Sequence, residues 1–106
     1  MNLKGQENHF ITFEKGGEMT KRYRNQITPG GIIGGYISSD AMLALLNQEG
    51  CVGFRYYYGL NDNNNMELVF VGVDSDGNDI IDSDKLCIDN AAVCPPRCSN
   101  NNILNS

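Results

Sequence analysis

Two cysteines separated by two prolines and an arginine are the residues of this chain whose spacing most suggests chemistry. The segment reads Cys94-Pro-Pro-Arg-Cys98, and the prolines make the backbone between the thiols stiff. In an oxidising compartment the pair could close a local disulfide. In a reducing one the two thiolates could form half of a tetrahedral zinc site, with Cys51, Cys87 or His9 as further ligands. A third interpretation is a stiff C-terminal strap with two unreacted thiols. Three residues rather than two separate the cysteines, so thioredoxin-like catalysis is not expected.

Acidic residues in the second half of the chain partly match a calcium-binding loop. Asp74, Asp76 and Asn78 fit the first, third and fifth positions of an EF-hand. The sixth position, which needs glycine for a sharp turn, is Asp79, and the twelfth, which needs glutamate, is Lys85. A turn between two strands explains the same residues, so we do not predict calcium binding.

No arrangement of residues in the sequence predicts an enzyme active site. The only histidine, His9, lies in a polar N-terminal segment, and its spacing to the cysteines indicates no activated nucleophile. The glycine-rich stretch Gly30–Gly35 is followed by Tyr36, where a phosphate-binding loop needs lysine. We therefore predict no catalytic residue and no cofactor, and we favour a protein that is not an enzyme.

The charge balance restricts the partners of the protein. A net charge of −5 repels phosphate backbones, and the one basic cluster, Lys21, Arg22 and Arg24, is explained by ion pairs along a helix. No apolar run reaches the roughly 18 residues that cross a bilayer, and the first residues lack the features of a secretory signal. We predict no nucleic acid, no membrane and a cytoplasmic location, with export left open if a leader precedes residue 1.

Two helices are expected in the first half of the chain. Thr12 is a suitable N-cap for a helix over Phe13–Gln26, although Gly16 and Gly17 cost about 1 kcal/mol each relative to alanine and make this helix dependent on packing. A second helix over residues 41–48 begins near Ser38 or Ser39 and ends before Gly50. The apolar stripes expected to be buried are Met19, Tyr23 and Ile27 on the first helix and Met42, Leu45 and Leu46 on the second.

The clearest predicted element is a β-hairpin. Residues 51–58 and 66–73 are rich in strand-forming residues and flank a turn-like stretch. The register that we predict pairs Tyr58 with Met66. Because strand side chains alternate, one face then carries six apolar residues, which we expect to be the core covered by the two helices. They are Phe54, Tyr56, Tyr58, Met66, Leu68 and Phe70.

The opposite face of this hairpin is unusually apolar for a solvent-facing surface. Its members alternate with the core residues and are Arg55, Tyr57, Glu67, Val69, Val71 and Val73. Such a face indicates cover by the C-terminal segment or by another molecule. We predict a contact surface formed by Arg55, Tyr57, Val69 and Val71, and a protein-interaction module that pairs with another protein or with itself. The alternative is a thiol-based metal-binding or redox protein that uses Cys94 and Cys98.

The remaining segments are expected to be less regular. A turn at residues 74–77 leads to a short third strand at residues 78–81, and residues 82–98 should form an irregular strap. Residues 28–35 read as a flexible connector, and residues 1–9 and 99–106 as flexible termini. The whole is predicted to be one α+β domain over residues 1–106, with two N-terminal helices packed on an antiparallel hairpin or three-stranded meander.

Three separated motifs also resemble a known family. They are Gly-Cys-Val-Gly-Phe-Arg-Tyr-Tyr-Tyr-Gly at residues 50–59, Leu-Val-Phe-Val-Gly-Val-Asp at residues 68–74 with Gly-Asn-Asp at residues 77–79, and Cys-Pro-Pro-Arg-Cys at residues 94–98. In this order they are similar to a family of short bacterial proteins to which no activity is assigned. The resemblance covers roughly residues 40–98. It implies that the hairpin and the Cys-Pro-Pro-Arg-Cys segment belong to one module, and it assigns no functional residue.

Overall fold

A computed structural model describes residues 2–89 and 91–106 and confirms the α+β class. The described residues form two compact units. The hairpin unit comprises Met1–Glu7 and Ile37–Ala91, and the α1 unit comprises Asn8–Tyr36 and Ala92–Ser106. The helices are α1 (Phe13–Gln26) and α2 (Ser39–Leu46), and the strands are β1 (Gly34–Tyr36), β2 (Cys51–Leu60), β3 (Met66–Asp74), β4 (Cys87–Ile88) and β5 (Ala92–Cys94).

Helix α1 begins and ends where the sequence predicts, but a different face of it is covered. Thr12 is the N-cap, and its side chain accepts a hydrogen bond from the backbone N–H of Lys15 at 3.0 Å. Met19 and Tyr23 are exposed, so the predicted stripe is wrong for these two residues. The covered face contains the two glycines instead, and Gly17 is the buried residue of the helix.

The C-terminal residues explain why glycines occupy this face of α1. A Cβ atom on Gly17 would lie 2.8 Å from Cγ1 of Ile103 and 2.9 Å from its carbonyl oxygen. The guanidinium of Arg24 donates a hydrogen bond to the carbonyl oxygen of Leu104 at 2.6 Å and another to that of Ser106. The C-terminal turn therefore packs on the helix in the space that the missing side chains leave. The flexibility expected of residues 99–106 stays a prediction, as does that of residues 1–9, of which Met1 lies outside the described residues.

The predicted connector contains a strand that the sequence analysis missed. Gly34, Gly35 and Tyr36 of β1 pair antiparallel with Cys94, Val93 and Ala92 of β5. The N–H of Ile33 also donates to the carbonyl oxygen of Cys94 at 2.7 Å. The pairing explains an extended backbone that two consecutive glycines do not favour by themselves.

Helix α2 supplies the fully buried side chain of the hairpin unit. Ser38 is its N-cap, and Leu45 has no exposed surface. Gln48 then links the helix to a distant loop: its Nε2 donates to the carbonyl oxygen of Leu45, and its Oε1 accepts from the N–H of Leu86, both at 2.9 Å. The helix thus packs against β2 and β3 and also holds the segment that leads into β4.

The hairpin forms as predicted, but its register differs by two residues. Tyr58 pairs with Leu68 rather than with Met66, which pairs with Leu60. The strands are longer than predicted because Asn61 closes a compact turn, in which its Oδ1 accepts from the N–H groups of Asn63 and Asn65. A shift of two residues leaves every side chain on its predicted face, because strand side chains alternate with a period of two.

The third strand of this sheet is β4 rather than residues 78–81. The strand order is β2-β3-β4, and all pairs are antiparallel. After the turn, Asp79 forms only an isolated bridge with Val73. The turn itself is organised by Asp74, whose Oδ1 accepts from the N–H groups of Asp76 and Asn78, both at 3.0 Å. The acidic pattern that resembles a calcium loop is therefore used in part to cap a turn.

The prediction of which hairpin face forms the core is wrong. Val71 and Val73, on the face expected to be the back of the sheet, are only 7% and 3% exposed. On the face expected to be the core, Phe54, Tyr56 and Tyr58 are exposed, and Met66 is exposed as well. Both faces are apolar by residue type, so the alternation alone could not decide which of them the chain covers.

The two glycines of α1 offer a matched test of its packing. Gly17→Ala should lower the free energy of unfolding by about 1–3 kcal/mol, because the added Cβ overpacks against Ile103. Gly16→Ala should raise it by up to about 1 kcal/mol, because its Cβ meets only the end of the Leu104 side chain at 3.3 Å and that of Ile11 at 3.7 Å. Urea unfolding followed by the helical circular dichroism signal measures both. Equal stabilisation by the two variants would contradict the packing of the C-terminal turn on α1.

Candidate functional site

The four residues predicted as a contact surface lie together on one face of the hairpin. Arg55 pairs with Val71 and Tyr57 with Val69. Their exposure differs widely, because Val71 is buried whereas Tyr57 is 48% exposed. The chain itself covers part of this set. The interface role of the four residues stays a prediction. Arg55 and Tyr57 are the two members with polar side chains.

Asp79 joins these two residues into a hydrogen-bonded cluster that the sequence analysis missed. The Arg55 guanidinium donates to Oδ1 of Asp79, with which it forms an ion pair, and to the carbonyl oxygen of Gly77 at 3.2 Å. The Tyr57 hydroxyl donates to Oδ2 of Asp79. The bridge between Asp79 and Val73 places the carboxylate over the same face. The sequence feature that could have revealed this cluster is the turn at Gly77, because the chain runs back alongside β3 two residues after it.

The cluster changes the ionisation of both of its donors. The hydrogen bond to Asp79 raises the pKa of the Tyr57 phenol above its usual range, and partial desolvation adds to the shift. The same carboxylate raises the pKa of Arg55. Both shifts favour the protonated donors that these hydrogen bonds require. The cluster therefore fixes the positions of the Arg55 and Tyr57 side chains at neutral pH.

The opposite face of the hairpin is an exposed aromatic surface. We call it the aromatic face and define it by Phe54, Tyr56, Tyr58, Leu60, Met66, Leu68 and Phe70, which alternate on β2 and β3. The rings contact one another edge to face: Phe54 and Phe70 have centroids 5.6 Å apart, and Tyr56 and Tyr58 have centroids 5.9 Å apart. None of these residues is charged. Tyr58 is 74% exposed and Leu60 71% exposed, so the outer part of this face is open to solvent.

Strand β2 also has a free edge. The order β2-β3-β4 places it at the side of its sheet, and among the described residues only β3 pairs with it. The carbonyl oxygen of Gly72 accepts from the N–H of Ile80, so Gly72 and its β2 neighbour Phe54 form a non-hydrogen-bonded pair. By alternation, the N–H and C=O groups of Phe54, Tyr56 and Tyr58 point away from β3. The residues of the aromatic face on β2 therefore also carry the unpaired backbone groups of its edge.

The candidate thiols Cys94 and Cys98 are joined by a disulfide in the structure. Their Cα atoms are 4.8 Å apart, and the bridge closes the segment that follows β5. Within this loop, Arg97 donates its N–H to the carbonyl oxygen of Val93 at 3.0 Å. Cys98 is exposed. The other two cysteines, Cys51 and Cys87, are free thiols. Cys51 donates to the carbonyl oxygen of Gly53 at 3.1 Å, beside the bulge at the start of β2.

Other kinds of site find little support in the described part of the chain. Within residues 2–89 and 91–106, no three His, Cys, Asp or Glu side chains are grouped so that they could hold a metal ion. None of the helices in these residues has the length and apolar character needed to cross a bilayer.

Comparisons with protein families, with curated proteins and with solved structures find no match to this chain. The resemblance to a family of short bacterial proteins therefore stays a prediction. The hairpin and the disulfide loop are the features of the chain from which a function can be proposed.

The Tyr57–Asp79 hydrogen bond predicts a specific pH dependence. Because the folded pKa of Tyr57 is raised above the unfolded value of about 10, the stability from this bond is fully present below pH 10 and is lost as the pH rises through the folded pKa. Absorbance of tyrosinate against pH measures the titration. Tyr57→Phe should remove one phenol from the high-pH end of the curve, and Asp79→Asn should move that phenol to lower pH. A high-pH component that survives Tyr57→Phe would show that the shift belongs to another tyrosine.

Proposed function

We propose that this protein is a non-enzymatic interaction module that associates with a second copy of itself through the aromatic face of its hairpin. The observation that carries the proposal is the exposure of Phe54, Tyr56, Tyr58 and Leu60 next to an unpaired strand edge. Tyrosine and phenylalanine are enriched in interface centres, because they bury a large area with little loss of side-chain freedom.

The available area is compatible with a weak to moderate dimer. A half-exposed aromatic side chain offers about 100 Å², so the aromatic face offers roughly 500–600 Å² per copy. Two copies that meet along their β2 strands would cover only part of this area, so the total stays below the roughly 1,200 Å² at which standard-size interfaces begin. Pairing of backbone groups along the free edge would add to this area. The predicted association is therefore concentration-dependent rather than obligate.

Charge also favours a second copy at this surface. The chain has a net charge of −5, so two copies repel each other over most of their surfaces. The aromatic face carries no acidic residue, and the one charge on β2, Arg55, is paired with Asp79 on the other side of the sheet. The hairpin is thus a place where two acidic chains can meet without bringing carboxylates together.

Two exposed tyrosines provide a matched test of self-association. Tyr58→Lys should weaken the dimer at least tenfold, about 1.4 kcal/mol, because a two-fold interface would bring two added charges into an apolar contact. The control Tyr36→Lys changes a tyrosine that is 64% exposed and also lies on a strand, but in the α1 unit, and should leave the affinity unchanged. Sedimentation velocity over a range of concentrations measures both.

Two results would contradict this proposal. One is a wild-type protein that stays monomeric up to several hundred micromolar. The other is an equal loss of affinity in Tyr58→Lys and Tyr36→Lys, which would assign the effect to charge in general. Circular dichroism of each variant would show that the fold is retained.

A second candidate function is thiol–disulfide exchange at Cys94 and Cys98, favoured by the exposed position of Cys98 next to its bridge. In such a reaction a dithiol partner would be oxidised to a disulfide, while Cys94 and Cys98 would take up two electrons and two protons. The opposing interpretation is a structural bridge, which closes a five-residue loop and stabilises the fold by about 2 kcal/mol.

Equilibration of the native protein with glutathione buffers separates these two roles of the bridge. We expect a structural bridge, so thiol counting should detect only Cys51 and Cys87 across the range of cellular redox buffers, and Cys98→Ser should lower the free energy of unfolding by about 2 kcal/mol. Reduction of the bridge within that range, with little change in stability, would favour the exchange function.

A further inference from the structure

We infer that two copies of the chain pair antiparallel along the free edges of their β2 strands, with Tyr56 opposite Tyr56 of the second copy on a two-fold axis. This inference rests on the proposed self-association and specifies its geometry. The resulting sheet would continue through both molecules in the order β4-β3-β2-β2-β3-β4. The β2 residues of the aromatic face, Phe54, Tyr56 and Tyr58, would then contact the same three residues of the second copy.

From Phe54 to Leu60 the edge lacks the usual protection against such pairing, whereas at Val52 it is covered, since a Cβ atom on Gly5 would lie 2.6 Å from the Val52 carbonyl oxygen. Natural edge strands are commonly short, or carry proline, lysine or inward-pointing charges. Strand β2 is ten residues long, contains no proline and carries a single charge, Arg55. That guanidinium is held over the other face by Asp79 and Gly77, so it does not extend into the path of an incoming strand.

The backbone groups of this edge also fit the pairing. The N–H and C=O groups of Phe54, Tyr56 and Tyr58 point away from β3, as the bonding of Gly72 to Ile80 requires. Two such edges are self-complementary when they run antiparallel about a two-fold axis. With Tyr56 on the axis, Phe54 of each copy faces Tyr58 of the other, and all three residues can form pairs of hydrogen bonds.

The positions of Arg55 and Tyr57 favour this register over its neighbours. Placing Arg55 on the axis would set two like charges directly opposite each other, which is unfavourable. Placing Tyr57 on the axis would set each Arg55 opposite a glycine, Gly59. With Tyr56 on the axis, Arg55 of each copy lies opposite Tyr57 of the other, where the aliphatic stem of the arginine can pack on the tyrosine ring while its guanidinium stays on Asp79. Two of the four residues that the sequence predicts as an interface would then contact the second copy.

Disulfide trapping of single cysteines tests the register. In a background of Cys51→Ser and Cys87→Ser, Tyr56→Cys would place two thiols across the axis, with Cα atoms about 5.5 Å apart, within the range of a disulfide. In the controls Arg55→Cys and Tyr57→Cys, the cysteine of one copy would lie two residues along the strand from the cysteine of the other. Their Cα atoms would then be roughly 8–9 Å apart. Mild oxidation followed by non-reducing electrophoresis gives the rate of cross-linking for each.

We expect Tyr56→Cys to form covalent dimers at least tenfold faster than either control, with the Cys94–Cys98 bridge left intact. If sedimentation shows a dimer but Arg55→Cys or Tyr57→Cys reacts fastest, the register is overturned while self-association stands. If the dimer forms and no position on β2 cross-links faster than Tyr36→Cys, the edge pairing is overturned. A monomeric protein in sedimentation would overturn both this inference and the proposed function.

Discussion

The pairing of β2 with β3 is the constraint on which the other features of the hairpin depend. The register is set by the turn that Asn61 closes, and it is constant from Gly53 to Leu60. It places Arg55 and Tyr57 over one face, where Asp79 can reach both, and it places the alternate residues on the aromatic face. It also decides which backbone groups β3 uses and which are left at the edge. A change of register by one residue would exchange all of these roles.

The two faces of the hairpin have different physical roles although their residue types are similar. On one face, the chain covers Val71 and Val73. The ion pair and hydrogen bonds of Asp79 lie on this same face. The aromatic face has ring contacts but little cover. An exposed apolar surface is costly in a monomer, because its water contacts are unfavourable. We therefore expect this face to contact another molecule in solution.

The sequence predicted features that local residues determine, and it missed those that depend on distant partners. Thr12 and the residues after it were enough to place α1 at both ends, and the β-rich runs were enough to place the hairpin. The pairing of β1 with β5 could not be seen, because Gly34 and Gly35 have no strand preference and their partners lie far along the chain. The covered face of α1 was missed for a similar reason: Gly17 is buried by Ile103, which belongs to the C-terminal turn. The role of Asp79 was missed because its partners, Arg55 and Tyr57, lie on β2, more than twenty residues earlier in the chain.

Hydrogen exchange of individual β2 amides at several protein concentrations shows whether two β2 edges pair in solution. The amides of Arg55 and Tyr57 point toward β3, whereas those of Phe54, Tyr56 and Tyr58 point to the free edge. We expect exchange at the three edge amides to slow as the concentration rises through the dimer dissociation constant, while exchange at Arg55 and Tyr57 is already slow and does not change. Edge amides that exchange at the same rate at every concentration would contradict this pairing.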